Sequence, residues 1–185
     1  MADPSDLCTL AGVKAWLNLT SSGDDTLLAS LITAVSAFIV ANINRPVLSS
    51  IFAETRDGTG GRTLSFAVTP VTAILNLSID GNDIPAAPDD ISPGYRFGPT
   101  RLSLYGYRFT PGLDNVAIGY TAGFATVPGE LAQACIQLVA LRYRERDRIG
   151  LNSKGLAGEV TSFLQKAMPD DVEAVLQRYR RVAPL

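Results

Sequence analysis

The chain has 185 residues, 46% of them hydrophobic, so it can bury one sizeable core and its length does not require two independent domains. Sixteen basic residues against 18 acidic ones give a net charge of -2, which argues against a protein whose main role is to coat nucleic acid. The sequence contains no histidine, the commonest general base and the commonest metal ligand. We therefore expect one domain, residues 1–185, whose role is not catalytic.

The first residues are acidic and polar, unlike the basic start and apolar run of an export signal, so residence in a cytoplasm is expected. Cys8 and Cys135 lie far apart within apolar helical patterns, where a reduced cysteine usually acts as a small hydrophobe. We expect no disulfide, and two isolated cysteines do not make a zinc site. No apolar stretch is expected to reach the roughly 18 residues that span a bilayer, so no membrane partner is predicted.

Two helices are predicted in the N-terminal part of the chain. Thr9 is placed as the N-cap of a short helix from Leu10 to about Leu19. Ser22 precedes Asp25 by the three residues of a capping box, which predicts the start of a second helix there. Apolar residues from Leu27 to Ile43 then recur at steps of three and four, the period of an amphipathic helix about 30 Å long.

Residues 50–126 change to short β-branched and aromatic runs separated by Gly, Pro and Asp, which predicts an antiparallel β insertion. Asp80-Gly81 is a hairpin signal within it. Residues 84–99 contain four prolines and are predicted as an irregular exposed loop whose role stays open. The predicted strands lie at 63–68, 73–79, 103–109 and 116–120.

Pro128 opens a predicted third helix, in which nine of the eleven residues from Leu131 to Leu141 are apolar, so this helix needs cover on more than one side. Residues 149–168 lack a firm period and are predicted as a loop that orders only against another surface. Pro169 at a helical N1 position predicts a short fourth helix. The predicted fold is α+β, mainly a bundle of about four helices, with the antiparallel β insertion of residues 50–126 between helices 2 and 3.

No cluster of residues predicts chemistry. Gly58–Gly61 lacks the Lys-Ser/Thr of a phosphate loop, so a turn is favoured. Asp80 and the polar residues after it lack the glycine and the glutamate of a calcium loop, so a hairpin is favoured. No serine has a histidine or a Ser-x-x-Lys pattern to activate it. We predict no catalytic residue, no metal site and no cofactor.

Two cationic segments are candidates for contact with a partner. Arginines from Arg142 to Arg148 alternate with acidic residues, the ordinary pattern of a solvated helix end. Arg178, Arg180 and Arg181 beside Tyr179 form a terminal segment that is free to reach a partner, although a helix-dipole role is slightly favoured. A small DNA-binding regulator using these last arginines stays open as an alternative, with a steep salt dependence as its signature.

A series of sequence blocks follows one order along most of the chain. The blocks are Leu10–Leu17, Asp24-Asp25, Asn44-Arg45-Pro46, Asp57–Gly61, Pro70-Val71, Ile79–Gly81, Gly119–Phe124, Val127-Pro128, a helix ending in Tyr143–Arg146, and Met168-Pro169 through Arg181. In this order they resemble the head–tail connector, or adaptor, proteins of long-tailed phages and gene transfer agents. Each block alone is weak, and their order carries the resemblance.

The resemblance implies a structural virion protein at the head–tail interface, assembled in the host cytoplasm and completing the head after DNA packaging. It implies a dodecameric ring under the portal protein, a downstream tail or stopper protein as a further partner, and viral DNA passing through the channel without sequence-specific binding. Residues 149–185 would form a C-terminal arm that docks on the portal. A tail-completion or head-stopper protein is the alternative within the virion.

Two sets of contact residues follow from the resemblance. The apolar third helix would meet neighbouring subunits of the ring, which are expected to lie on more than one side of it. Its candidate subunit-interface residues are Leu131, Cys135, Leu138 and Leu141. The candidate portal-docking residues are Val172, Leu176, Arg178, Tyr179, Arg180 and Arg181.

Overall fold

The computed structural model describes residue 3 and residues 5–146, 153–156, 159–162 and 168–181. The chain divides into two compact units. The first, which we call the helical unit, combines Met1–Arg45 with Val127–Leu185, and the second, the β unit, is Pro46–Thr126. The β unit is thus continuous in sequence, whereas the helical unit is made from the two ends of the chain.

The helical unit contains the helices α1 (Leu10–Leu17), α2 (Asp25–Ile43), α3 (Gly129–Glu145) and α4 (Asp170–Tyr179). The predicted N-cap of α1 is confirmed, since the Thr9 hydroxyl accepts a hydrogen bond from the Gly12 amide at 3.1 Å. The predicted capping box at Ser22 is wrong. The N-cap of α2 is Asp24, whose side chain makes no capping bond. Ser22 lies two residues before this cap and therefore does not occupy the N-cap position.

The helix α3 lies at the centre of the helical unit and packs against α1, α2 and α4. Its buried residues include Leu131, Leu138 and Val139, and the facing side of α2 contributes Ile32 and Ile39. Three helices of the same unit therefore cover the nearly continuous apolar surface of α3.

By length and composition alone, α2 passes as a membrane span: it has 19 residues and a mean hydropathy of 2.0. The expectation that no stretch would reach spanning length was therefore wrong. The core helix of a globular unit passes the same test, and one third of the α2 window is buried inside the structure. Its inner side packs on α1, α3 and α4, as a core helix does.

Two antiparallel sheets make up the β unit. The four-stranded sheet has the order β1 (Ser50–Gly58), β7 (Gly112–Ala122), β3 (Val71–Ile79), β4 (Asn82–Asp83), and the three-stranded sheet has the order β2 (Thr63–Ser65), β6 (Arg101–Tyr105), β5 (Gly94–Phe97). The predicted hairpin at Asp80-Gly81 is confirmed: both residues have positive φ, and Ile79 pairs with Asn82 across the turn.

The core of the β unit contains residues of both sheets, with Tyr120 fully buried near its middle. The Tyr120 ring lies 5.0 Å from that of Phe66 and 5.8 Å from that of Phe52, centroid to centroid. Its hydroxyl accepts a hydrogen bond from the Val68 amide at 3.1 Å and donates one to the Glu54 carboxylate. Burial, reinforced by the bond to Glu54, raises the pKa of Tyr120 to about 12.

The prediction of a mainly helical bundle is wrong, because the fold is a sheet-rich α+β fold in which the β unit has its own core. Three strands of the β unit, β1, β4 and β5, lie outside the predicted strand ranges. The strand β1 alternates polar and charged residues such as Glu54 and Arg56 toward the core side, which hides its pattern. The strand β5 lies inside the Pro-rich stretch 84–99, where the Tyr95 amide donates to the Pro85 carbonyl at 2.9 Å. In the stretch 84–99, a paired strand therefore replaces part of a predicted loop.

A further difference concerns the predicted loop 149–168. Within it, β8 (Ser153–Leu156) and β9 (Glu159–Ser162) pair as an antiparallel hairpin. The remaining residues of that prediction, apart from residue 168, lie outside the described residues. Arg148, the last arginine of the first cationic segment, also lies outside them.

Candidate interaction surfaces

Three of the four residues predicted at a subunit interface belong to the core of the helical unit. Leu131 and Cys135 are fully buried, and Leu138 is 1% exposed. Leu141, one turn further along α3, is only partly buried. The chain itself thus covers the first three side chains, and Leu141 alone of the set reaches the surface.

The predicted docking residues of α4 divide in the same way. Val172 and Leu176 are buried where α4 packs against α2 and α3. The Arg45 guanidinium lies 5.7 Å from the centroid of the Tyr179 ring, within reach of a cation–π contact. The Arg181 amide donates to the Ile43 carbonyl at 2.8 Å. These four contacts anchor α4 on the helical unit.

The cations of α4 point outward. Arg180 is exposed, and the Arg178 side chain is 61% exposed although its guanidinium lies 3.4 Å from the Glu130 carboxylate. An ion pair this exposed contributes at most about 1 kcal/mol, so Arg178 can exchange Glu130 for another acidic partner at small cost. By contrast, the arginines at the end of α3 lie over aromatic rings: Arg142 over Phe38 at 5.2 Å and Arg146 over Tyr143 at 4.0 Å.

One side of α2 forms an exposed surface without charge, which the sequence analysis did not predict. No ionisable residue occurs between Asp25 and Arg45. The hydroxyl of Ser30 donates to the carbonyl of Leu27 at 2.8 Å, and that of Thr33 to Ala29, so these side chains offer little hydrogen-bonding capacity to a partner. We call this surface the α2 face, and it consists of Leu27, Ser30, Thr33, Ala34, Ala37, Phe38 and Ala41, all exposed.

The signal for this surface was present in the composition of α2. An amphipathic helix at the edge of a globular unit normally carries charged residues on its outer side. Here the outer side is as free of charge as the inner one, along about 21 Å from residue 27 to residue 41. The period predicted the helix, but two of its apolar residues, Leu27 and Phe38, lie on the exposed side, and the missing charge on that side is what predicts a partner.

A second uncharged surface lies on the outer side of the four-stranded sheet. Alternate residues of β1 turn outward, while Phe52, Glu54 and Arg56 turn toward the other side. Ile51 is 73% exposed and Leu75 is 54% exposed. We call this surface the sheet face, and it consists of Ile51, Ala53 and Thr55 of β1, Ala117, Gly119 and Thr121 of β7, and Ala73 and Leu75 of β3.

Glycine at position 119 leaves room for the Asn76 amide at the centre of the sheet face. A Cβ atom there would stand 2.0 Å from Oδ1 of Asn76, whose amide lies across the backbone of β7. Because no side chain projects from position 119, the amide of Asn76 fits close to the sheet. The centre of the sheet face is consequently uncharged and has no side chain at position 119, while Ile51 and Leu75 are strongly exposed elsewhere on the face.

Concave regions of both units are also present among the described residues. In the helical unit, Trp16, 48% exposed, lines a shallow groove with Leu141 and Pro169. In the β unit, Arg62 and Arg108 line a wider cleft that also contains Asp80. Hydrogen bonds from Thr110 and Asn115 hold the pKa of the Asp80 carboxyl below its usual range. Among the described residues, no group of three or more His, Cys, Asp or Glu side chains is placed to hold a metal ion.

Exposed uncharged surfaces of this kind are typical of a structural protein that acts through contacts with other chains. The sequence pattern of the head completion protein family matches residues 6–182. The chain therefore belongs to the head completion protein family, and it is a structural head–tail connector of the virion.

Three solved structures are similar to this chain at 25% sequence identity, each over 100% of its length. They are the neck of an empty gene transfer agent particle computed with C6 symmetry (TM-score 0.60, 95% of that chain covered), the neck of the native particle computed with C12 symmetry (0.58, 94%) and the virion of the native particle (0.59, 95%). Among curated protein sequences, none matches this chain. The predicted resemblance to head–tail connectors is thereby confirmed.

Proposed function

We propose that the chain assembles as a ring of twelve copies beneath the portal, completes the head after DNA packaging and provides the attachment surface for tail components. The symmetry of the related necks supports this proposal, since one of them was computed with twelvefold symmetry. Viral DNA passes through the channel without sequence-specific contact, and the protein acts without cofactor or catalysis. The observation that carries the proposal is the pair of uncharged surfaces, the α2 face and the sheet face.

A closed ring of identical subunits needs two different surfaces on each subunit, because every copy meets its two neighbours head to tail. The α2 face is a convex strip formed by one helix, and the sheet face is a surface formed by three strands. The residues of both faces are themselves uncharged, with the Arg142 guanidinium 5.2 Å from the centroid of the Phe38 ring, and charged residues are depleted in the centres of protein interfaces. We propose that the α2 face of one copy packs on the sheet face of the next.

The proposed interface replaces most of the one expected from sequence. Leu131, Cys135 and Leu138 stay in the core and keep α3 in position. Leu141 remains a candidate for contact with another chain, since it lines the groove beside the exposed Trp16. The subunit contact in this proposal thus depends on α2 and the sheet rather than on α3.

For the portal, we propose contact through the C-terminal arm, residues 149–185, with Arg178 and Arg180 facing acidic residues of the portal. Val172, Leu176 and Tyr179 hold α4 on the helical unit, and the backbone of Arg181 is tied to Ile43. Because these contacts fix α4, the helix presents the two exposed guanidiniums in a defined position, which limits the entropy lost on docking.

The docking proposal is tested with the double variant Arg178→Glu/Arg180→Glu and the matched control Gln177→Glu, an exposed residue of the same helix. Purified portal-containing heads are mixed with each protein and the bound fraction is measured by sedimentation. We expect the double variant to bind at least tenfold more weakly and the control to bind like the wild type. Attachment of the double variant at the wild-type level would rule out these arginines as docking residues.

Light scattering of the wild-type protein, with and without portal, tests the place of the ring. Complexes with bare portal of the mass expected for one ring support the proposal. If the chain binds only portals that already carry another connector protein, it is a head-stopper or tail-completion protein, and the assignment as adaptor is overturned.

A further inference from the structure

Two cysteines that are 127 positions apart in sequence meet inside the helical unit. Cys8 lies in the segment before α1, Cys135 lies in the middle of α3, and their sulfur atoms are 3.2 Å apart. Cys8 is 8% exposed and Cys135 is fully buried. A disulfide bond is about 2 Å long, so roughly 0.6 Å of movement by each sulfur closes the gap. Small side-chain rotations provide movement of this size.

The surroundings of the pair distinguish the two sulfur atoms. The Cys8 thiol donates its hydrogen bond to the sulfur of Cys135. The Ser36 hydroxyl oxygen accepts from the Leu7 amide at 2.9 Å and lies 3.6 Å from the sulfur of Cys135, a contact in which either atom can donate. The hydrogen bond from Cys8 lowers the pKa of Cys135, with a smaller contribution from Ser36. The same bond, together with burial, raises the pKa of Cys8.

We propose that Cys8 and Cys135 are a redox site, which a hydroperoxide converts from two thiols into a disulfide that ties the N-terminal segment to α3. Cys135 is the nucleophile and Cys8 is the resolving thiol. The site is part of the helical unit of a single chain, so the inference does not depend on the ring or on the portal contact.

The reaction has two steps. In the first, the thiolate of Cys135 attacks one peroxide oxygen, the O–O bond breaks, and the leaving alkoxide or hydroxide takes up a proton, which leaves a sulfenic acid on Cys135. In the second, the sulfur of Cys8 attacks the sulfenic sulfur, the S–O bond breaks, and the hydroxyl group leaves with the proton of Cys8 as water. The peroxide is reduced by two electrons and the two thiols are oxidised by two.

The burial of the pair determines which oxidant suits the site. Cys8 has only a small exposed area and Cys135 has none, so a bulky disulfide such as that of glutathione is hindered, whereas hydrogen peroxide has the size of a small solvent molecule. In a reducing cytoplasm the pair stays as thiols during assembly. The covalent bond forms in a particle that has left the cell, where peroxide and oxygen are present and no thiol pool reverses the reaction.

The test uses the full-length protein treated with hydrogen peroxide or kept in reductant. After unfolding in the presence of a maleimide, the treated wild type should carry no label and the reduced protein two labels per chain. Proteolytic fragments of the treated protein should contain Cys8 linked to Cys135. The unfolding midpoint should rise on treatment and return when reductant is added, because the bond closes a long loop.

Two variants assign the roles. Cys8→Ser should retain a sulfenic acid on Cys135 that a dimedone probe traps, since no resolving thiol remains. Cys135→Ser should leave Cys8 as an unreacted thiol under the same treatment. Two free thiols in the treated wild type, or a disulfide that links only different chains, would overturn the proposal, and trapping on Cys8 rather than Cys135 would overturn the assignment of the nucleophile.

Discussion

The helical unit and the β unit use apolar and polar residues in opposite ways. In the helical unit, α2 is uncharged on its buried side and on its exposed side, so the unit has more apolar surface than its own core occupies. In the β unit, a tyrosine hydroxyl lies at the centre of the core and is satisfied by Val68 and Glu54. The difference teaches that the exposed side of α2 lacks the charges usual on a helix surface, while the core of the β unit depends on an internal polar network.

That network extends from the core to the surface of the β unit. The Glu54 carboxylate accepts from the Tyr120 hydroxyl with one oxygen, and its other oxygen lies 2.8 Å from Nη2 of Arg56. Each member thus fixes the next, and the charge of Glu54 is compensated on both sides. Removing one group from this chain of contacts leaves its hydrogen-bonding partner unsatisfied.

The largest effect is expected from a charge in the core of the helical unit. Leu138→Asp places a carboxylate where the chain is 1% exposed, and the free energy of unfolding should fall by about 3–5 kcal/mol, or the protein should fail to fold. Urea unfolding measures this change. The same charge at an exposed position of α2, in Ala37→Asp, should change the free energy of unfolding by less than about 1 kcal/mol. Equal losses for both variants would show that the two sides of the helical unit do not differ as described.

The next effect concerns the β unit at high pH. The pKa of Tyr120 is raised from its usual value near 10 to about 12, so the folded state favours the neutral phenol. The stabilisation from this group is complete below about pH 10 and is lost as the pH rises through 12, an effect of about 2–3 kcal/mol. Unfolding free energies of wild type and Tyr120→Phe, measured from pH 9 to 12, should differ most at pH 9 and converge at the upper end. The exposed Tyr105→Phe serves as control, and a constant difference for Tyr120→Phe across the range would contradict the assignment.

A smaller free-energy change, but a visible one, is expected for assembly. Ala37→Glu on the α2 face and Ala53→Glu on the sheet face should each weaken ring formation at least tenfold, about 1.4 kcal/mol, because a carboxylate loses solvation in the contact. Light scattering gives the mass distribution, and Asn82→Glu in the exposed β3–β4 turn is the matched control.

Cross-linking sharpens this prediction. In a mixture of Ala37→Cys and Ala53→Cys proteins, a short bismaleimide should join the two variants to each other, while each variant alone stays uncoupled. Cross-links between two copies of Ala37→Cys would show a symmetric contact and contradict the head-to-tail arrangement. Full assembly of both glutamate variants would rule out these two surfaces as the subunit interface.

The smallest effect is expected at the start of α1. Thr9→Ala removes the acceptor for the Gly12 amide and should lower the free energy of unfolding by about 1 kcal/mol. The exposed Thr20→Ala, in the loop after α1, is the control and should be close to neutral. An unchanged stability of the Thr9 variant would mean that water replaces the cap.

Local patterns predicted the helical part of the fold well. The period of apolar residues and the residues at helix ends, such as Thr9 and Pro169, depend only on neighbours in sequence, and all four predicted helices are present. The strands were harder, because β1 pairs with β7, more than fifty residues away, and its charged residues are explained only by partners such as Tyr120. Strand content was underestimated for this reason, and with it the fold class.

The candidate contact residues depend on packing that local sequence patterns do not contain. An apolar run such as that of α3 cannot reveal whether its cover comes from the same chain or from another one, and Leu131 and Leu138 proved to be covered by their own unit. The proximity of Cys8 and Cys135 likewise depends on tertiary packing across most of the chain. The absence of charge on both sides of α2, in contrast, can be seen in the sequence itself.

Asn76 limits the size of the side chain that fits at position 119 on the outer side of the sheet. Since the amide of Asn76 occupies the space of any Cβ at position 119, even alanine there would displace the amide and raise a bump of atomic size in the middle of three strands. A helix that packs on this surface would contact the displaced amide at one point and lose dispersion contacts along the rest of its length. The close fit of the Asn76 amide on β7 thus depends on one missing methyl group.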